Sequence, residues 1–368
     1  MTVIECDVLV VGAGPAGLVS SVILSNKGHS VCILEKNQGS LSNNIKFDIT
    51  EGQRIKNILD EIGIKENKKS NISEWFSPNH KFILESNIDD LYFKRGYDND
   101  SLENKLISKI KKEKVRFFYK TKINSFKYSD NKITDVEIIS DNKKYTINPK
   151  FLIISDGPES ATRNKLKIKT HIYAKFIGYG MVIHTKKNNY ISHTKIYFDQ
   201  NLAPGGYLYS GSVGKETFFC IVADKKIIKT ELIDQKLKSF INEKIKDKYK
   251  QISTFKGTGI SGLVENNYEN VFFTGGAALL NDPFLAYGLN YAIESAYYAA
   301  KAINNNKASI YTQYLKEIQN NFKDMSFSRK IWRNADNKFF DKLIKAFNGE
   351  YDMNDEKINS ILELFDEK

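Results

Sequence analysis

Three glycines near the start of the chain, in Val11-Gly12-Ala13-Gly14-Pro15-Ala16-Gly17, have the spacing that holds a pyrophosphate. The first permits a tight turn, the second leaves the backbone bare where phosphate oxygens approach, and the third lets the next helix press against the preceding strand. An anion there would sit on a helix N-terminus, where unpaired N–H groups and the positive end of the dipole favour it. Glu35, eighteen residues past Gly17, has the spacing of the acid that meets ribose hydroxyls. A carboxylate at that point suits a free 2′-hydroxyl rather than a 2′-phosphate, so FAD or NAD is expected. G-x-G-x-x-G alone also occurs in ordinary loops, and its flanks decide between the two readings.

Those flanks have the required form. Val8-Leu9-Val10-Val11 is an uninterrupted apolar run, as in a parallel strand covered on both faces, and residues 16–27 carry apolar side chains at helical spacing. A second strand over 30–34 ends at Glu35. Two later segments repeat the theme: Phe151-Leu152-Ile153-Ile154 runs into Ser155-Asp156-Gly157-Pro158, and Val271-Phe272-Phe273 into Thr274-Gly275-Gly276-Ala277-Ala278. In a doubly wound sheet such loops meet at the carboxyl ends of the strands, although Asp-Gly is also an everyday turn. An alanine-rich helix is expected from near Gly288 to about residue 304. Its first N–H groups would face the crevice, and a reduced, anionic flavin ring is the kind of charge such an end stabilises.

Between these segments, the polar loop 37–44 is expected over the cofactor, followed by a helix over 51–62. Arg95, at the end of a short strand, either reaches a phosphate or is a solvated charge. A helix over about 100–112 has Asp98 or Asn99 as its cap. Residues 114–154 alternate as hairpin strands over 115–119, 123–128, 133–139 and 144–147, with turns at Asp130-Asn131 and Asp141-Asn142, which predicts an antiparallel excursion. Residues 170–260 are strand-rich, interrupted by a helical pattern over 226–248. This stretch is expected to wall a substrate cavity, with Tyr190, Tyr197, Phe198, Tyr207, Tyr209, Phe218 and Phe219 lining it or serving as core.

The chain of 368 residues, 41% of them hydrophobic, is long enough for two domains or one large domain with an inserted sheet. Lys+Arg 55 against Asp+Glu 44 gives a formal charge of +11. Much of the excess reads as solvated helix face; the functional alternative is attraction to an anionic membrane, a phosphorylated lipid or an acidic redox protein. No nucleic-acid motif accompanies it. Cys6, Cys32 and Cys220 form no C-x-x-C and read as core thiols of a reducing compartment. No leader pattern precedes Val8 and no stretch approaches the ~20 apolar residues of a membrane span. A cytoplasmic protein is expected, with peripheral contact at the inner face of the membrane as an extension. No metal-ligand set is expected.

Together, the glycine fingerprint, the loop Asp156-Gly157 with Ser160 and Arg163, and the Gly275–Ala278 region resemble the FAD-dependent oxidoreductases of the hydroxylase fold. Phe93-Lys94-Arg95 with Asp98 and Leu102, Ala203-Pro204-Gly205-Gly206-Tyr207, and the tail over 311–347 narrow the resemblance to geranylgeranyl reductases, including the archaeal digeranylgeranylglycerophospholipid reductases. The resemblance implies an α/β fold: an FAD-binding Rossmann-like domain (1–165 and 258–308), an inserted antiparallel β substrate domain (166–257) and a C-terminal helical segment (309–368). It implies that Gly12, Gly14, Pro15, Ala16 and Gly17 hold the pyrophosphate, Glu35 the adenosine ribose, and Arg95 a phosphate or ribityl group. Ile123 would approach the adenine, and Gly288 with Leu289 the flavin ring. Lys36, Lys46, Asp156, Gly157, Gly276 and Asn290 complete the expected cofactor set.

The implied reaction is hydride delivery from reduced flavin to an isoprenoid double bond, with a proton to the other carbon and NAD(P)H or a ferredoxin as electron donor. Tyr207, Tyr209 and Asp48 are the candidate proton donors. An FAD-dependent monooxygenase and a non-catalytic prenyl-lipid binder are the alternatives. The chain departs from the family at three points. Gly276 stands where the family has an Asp, so Gly276→Asp is expected to tighten FAD. Lys46-Phe47-Asp48 stands where the family has a cysteine, and Tyr207-Leu208-Tyr209-Ser210-Gly211-Ser212 replaces its longer aromatic motif.

Overall fold

The run Val8–Val11 forms the centre of a seven-stranded sheet in the computed structural model, which describes residues 2–38, 44–188, 190–228, 230–349 and 355–366. Strand Thr2–Val11 is flanked by parallel neighbours on both sides, Val31–Leu34 and Lys143–Ile154, and Val8, Leu9 and Val10 are fully buried. Val115–Phe118 adds to the outer edge in parallel with Val31–Leu34, and Val271–Phe273 pairs in parallel with the end of Lys143–Ile154. Only Lys122–Ser129 and Lys132–Ser140 are antiparallel additions. The expected excursion over 114–154 is therefore corrected at its start. Residues 115–118 belong to the parallel core, because their partner is a distant strand rather than the next hairpin arm.

Helix Pro15–Asn26 is buried over the whole of residues 16–25. It lies between this sheet and helix Leu289–Asn304, so its sequence is apolar or small all round rather than amphipathic. Pro15 opens it at a position where a missing N–H costs nothing. Helix Leu102–Lys109 is capped by Ser101, whose hydroxyl accepts from Asn104 N at 3.3 Å, and not by Asp98 or Asn99. Turns fall where expected, with Asp130, Asp141 and Asn142 in the left-handed region.

The second sheet has eight strands in the order Lys250–Glu265, Lys169–His184, Glu216–Asp224, Tyr207–Val213, Thr194–Tyr197, Lys68–Phe76, Lys81–Arg95 and Lys46–Thr50. Three of them precede residue 166 and one runs past 257, so the layers do not coincide with the boundaries expected from the sequence. Helix Thr230–Lys244 covers one face of this sheet, packing Ile233, Leu237 and Ile241 on Tyr179, Phe219 and Ile221. The tail forms helices Ser309–Asn334, Asn337–Phe347 and Glu356–Asp366, with Trp332 packed among Phe198, Phe284 and Phe340. Arg329 ties the first of these helices to the sheet through Asp224, at 3.2 Å and with both side chains buried.

Candidate functional site

The three expected loops converge. Gly12 adopts φ +102°, and a Cβ on it would lie 2.5 Å from the carbonyl oxygen of Ser155, so the first and second loops are in backbone contact. A Cβ on Gly17 would strike Gly12 O at 1.9 Å, whereas one on Gly14 would meet nothing within 4 Å. Gly12 and Gly17 thus serve packing, and Gly14 keeps open space beside the helix N-terminus. Arg163 joins the second loop to the third, donating to Pro158 O at 2.8 Å and to Ala277 O at 2.7 Å.

Glu35 stands at the end of its strand and accepts from Ala13 N at 3.0 Å and Asn37 N at 2.9 Å, which shapes the glycine turn. Thr121 N donates to Glu35 O, so the strand carrying Ile123 begins beside it. Lys36 is exposed next to it. Of the 37–44 loop expected over the cofactor, residues 39–43 lie outside the described residues. Asp156 accepts from Thr162 N through Oδ2, while its buried Oδ1 has no hydrogen-bond partner. A bare approach at Gly14, an acid at the end of the second strand and an unsatisfied buried carboxylate oxygen at the loop convergence together fit FAD.

Gly276 changes one expectation. A Cβ there would lie 2.8 Å from Pro158 N and 2.9 Å from Pro158 Cδ, so an aspartate requires the 157–158 backbone to withdraw. With Arg163 holding the two loops together, Gly276→Asp is no longer expected to tighten FAD.

A cavity of ≈ 510 Å³ opens from this convergence and extends along the second sheet. Where it meets the three loops, its wall carries Gly14, Pro15, Ala16, Gly157, Gly276, Gly288 and Leu289. Asn290 is hydrogen-bonded to Thr50 Oγ1 and to Glu51 O, which fixes the start of helix Leu289–Asn304 against strand Lys46–Thr50. Lys46, Asp48 and Arg95 reach the cavity from two paired strands. Arg95 donates through Nε to the buried Glu103 at 2.7 Å and through Nη1 to Asp48. Burial works against its charge, but Glu103 and Asp48 hold the guanidinium above its ordinary value. Arg95 is therefore neither a solvated charge nor an uncommitted cation. The Arg95 guanidinium, followed by burial, lowers the Lys46 ammonium.

The candidate proton donors Tyr207, Tyr209 and Asp48 share this cavity. The Tyr207 hydroxyl donates to Leu285 O, and burial raises both tyrosines well above the usual phenol range. Of the other aromatics expected to line a pocket, Phe198 packs on Trp332 and Phe218 stacks on Phe47. Phe219, Tyr190 and Tyr197 lie on the opposite face against the 230–244 helix. For Phe219 and Tyr197, strand alternation sets them apart from Tyr207 and Tyr209. Cys6 and Cys32 are core thiols, whereas Cys220 lines the cavity, its thiol pushed up to about 12, mainly by burial.

Sequence reasoning passed over Asp90 and Thr194, which line the cavity from strands Lys81–Arg95 and Thr194–Tyr197. The signal was the alternation Leu84, Ser86, Ile88, Asp90, with an acid ending an otherwise apolar or small row.

Known proteins place this architecture. An FAD binding domain model matches residues 5–308. The chain is 27% identical to digeranylgeranylglycerophospholipid reductase 3 of Methanosphaera stadtmanae, over 94% of this chain and 91% of that one. It is 24% identical to a ubiquinone hydroxylase of Neisseria meningitidis over 82% and 69%. Among solved structures, a geranylgeranyl bacteriochlorophyll reductase-like protein of Thermoplasma acidophilum superposes with a TM-score of 0.78 at 19% identity, covering 98% of this chain and 96% of that one. The p-nitrophenol 4-monooxygenase of Pseudomonas putida superposes at 0.72 with 15% identity, covering 100% and 98%. With the glycine turn, the loop convergence and these likenesses in agreement, the chain belongs to the FAD-binding domain family and is a flavin-dependent oxidoreductase.

Proposed function

We propose that the protein reduces carbon–carbon double bonds of isoprenoid chains in a membrane lipid or lipid precursor. The observation that carries this reading is the cavity that continues from the three loops onto the second sheet. Ile72, Trp75, Leu84, Ile196 and Val222 make much of its wall apolar, and Gly178 and Gly257 sit side by side without side chains to narrow it. A Cβ on Gly257 would meet nothing within 4 Å. Such a slot accepts a slim hydrocarbon chain, which on binding displaces water from the reacting carbons.

FAD, when bound, supplies the hydride chemistry. The chain's own residues divide the remaining work. Gly14 and the start of helix Pro15–Asn26 receive the pyrophosphate, and Glu35 meets the ribose. Gly288 and Leu289 would set the edge beside a bound flavin ring, and the second sheet would orient the alkene. The names of the digeranylgeranylglycerophospholipid reductase relatives support this substrate class. The +11 charge suits an acidic ferredoxin as electron donor, with NAD(P)H as the other candidate, and the same charge favours transient contact with an anionic membrane. No helix among the described residues is long and apolar enough to cross a membrane.

The test is a purified yellow protein, reduced with dithionite or a ferredoxin and given a geranylgeranyl lipid. The expected product is heavier by two hydrogens per saturated bond, and unchanged lipid under several reductants refutes the proposal. The ubiquinone hydroxylase relative and the p-nitrophenol monooxygenase fold favour a second reading, oxygen insertion. NADPH oxidation and oxygen uptake that rise together on adding substrate would select it.

A further inference from the structure

Double-bond reduction requires a proton as well as a hydride, and the three donors expected from the sequence are poorly suited to give one. Asp48 is committed to Arg95, the Tyr207 proton to Leu285 O, and burial holds the Tyr209 phenol well above its ordinary range. Asp90 is placed differently. It lines the same cavity as Tyr287, Gly288 and Leu289, on the strand face opposite its neighbour Leu91. The Asp90 charge bears on the Tyr287 hydroxyl, next to Gly288. Asp90 Oδ2 accepts from Thr194 Oγ1 at 2.6 Å, and the buried Tyr92 hydroxyl lies 2.6 Å from the same Thr194 oxygen. With Thr194 donating to Asp90, Tyr92 donates to Thr194.

Glu51 and Asp89 are the charged groups that raise the Asp90 carboxyl, and Lys69, beside Asp90's strand partner Ser70, is ion-paired with Asp89 at 3.3 Å. Glu51 follows the paired strand, Asp89 is adjacent in sequence, and Tyr287 comes from the third-loop side. Lys68 lies over the Tyr92 ring, its ammonium donating to Ser212 O, and no cation among the described residues forms an ion pair with Asp90. Burial, reinforced by Glu51 and Asp89, pushes the carboxyl up to about 7, so it retains its proton near neutrality.

Resting on the reductase reading above, we propose that Asp90 is the acid that protonates the double bond, with Thr194 and Tyr92 as its positioning residues. The alkene π bond breaks. One carbon receives a hydride, with both electrons, from the reduced flavin, and the other receives the proton from Asp90 as its O–H bond breaks. The bonding pair stays on the carboxylate, the flavin ends oxidised, and water reprotonates Asp90 for the next turnover.

The test uses the full chain loaded with FAD, in wild-type, Asp90→Asn, Asp90→Glu and Thr194→Val forms. Asp90→Asn is expected to keep its flavin spectrum while saturation of a geranylgeranyl lipid falls by at least about 100-fold. The wild-type rate should fall as pH rises past about 7, and that limb should vanish in Asp90→Asn. Asp90→Glu, which keeps an acid, recovers part of the rate, and Thr194→Val moves the limb without abolishing turnover. Independently of turnover, infrared difference spectra of the FAD-free protein between about pH 6 and about pH 8 should show loss of a protonated-carboxyl band that Asp90→Asn lacks. Wild-type rate in Asp90→Asn, or an infrared difference unchanged by it, overturns the assignment. If the wild-type protein itself leaves the lipid untouched, the reductase reading fails, and the infrared result still decides whether Asp90 holds a proton.

Discussion

A carboxyl displaced upward by folding must make stability depend on pH, and Asp90 allows the size of that effect to be worked out. Its ordinary value is 3.8 and the folded protein holds it at about 7. Between those limits the folded state keeps a proton that the unfolded chain has released, so unfolding free energy falls as pH rises through the window and levels off above it. At about 1.36 kcal/mol per pH unit the full displacement amounts to about 4 kcal/mol. Because the side chain is half-buried and lines an open cavity, relaxation and water entry trim this to about 2 kcal/mol or more. The perturbation is Asp90→Asn, which removes the titration and keeps the shape. Urea unfolding of the flavin-free wild-type and variant proteins, run at several pH values from about 4 to about 8, gives two curves whose difference cancels every other titrating group. The variant should gain on the wild type steadily as pH rises and be the more stable of the two at the upper end. Parallel curves would refute the reasoning, since they would mean that Asp90 titrates alike in both states.

Two further outcomes follow from packing. Gly276→Asp should lower the melting temperature, at a cost of about 1–3 kcal/mol, without tightening FAD in a flavin titration, because the new Cβ meets Pro158 backbone; tighter flavin binding would show that the 157–158 loop yields. Asp224→Ala should cost about 3–5 kcal/mol in chemical denaturation by leaving the Arg329 guanidinium buried without its carboxylate. Replacing both partners by apolar residues should restore much of that loss, and no recovery would mean that the pair is not the source of the cost.

The cofactor half of this molecule could be read largely from local pattern, because the runs Val8–Val11, Phe151–Ile154 and Val271–Phe273 are apolar and each ends in residues that a tight turn or a close ligand explains. Val8–Val11, Glu35, Asp156 and Gly275 fall where their neighbours in sequence require. The substrate half was less legible. Strand Lys68–Phe76 is mostly polar and draws its order from Lys81–Arg95 and Thr194–Tyr197, partners that no local window reveals. Val115–Phe118 looked like a hairpin arm because its parallel partner, Val31–Leu34, lies far back in the chain. The pocket aromatics were sorted by the face of the sheet each occupies, and a one-residue step decides that. Asp90 was passed over because a carboxylate in a strand ordinarily faces solvent, and only the assembled sheet turns it inward.

The order in which the chain visits its two sheets has a consequence for how the protein can be divided. Among the described strands it leaves the cofactor sheet after Val31–Leu34, returns at Val115–Phe118, departs again at Lys169–His184 and comes back with Val271–Phe273. The halves are interleaved, so no single cut frees either one. A fragment excised over 166–257 would carry only part of an open sheet, with the strand that should meet Lys68–Phe76 left as a bare, adhesive edge. Swapping substrate preference between relatives therefore calls for exchanging scattered surface patches rather than one cassette.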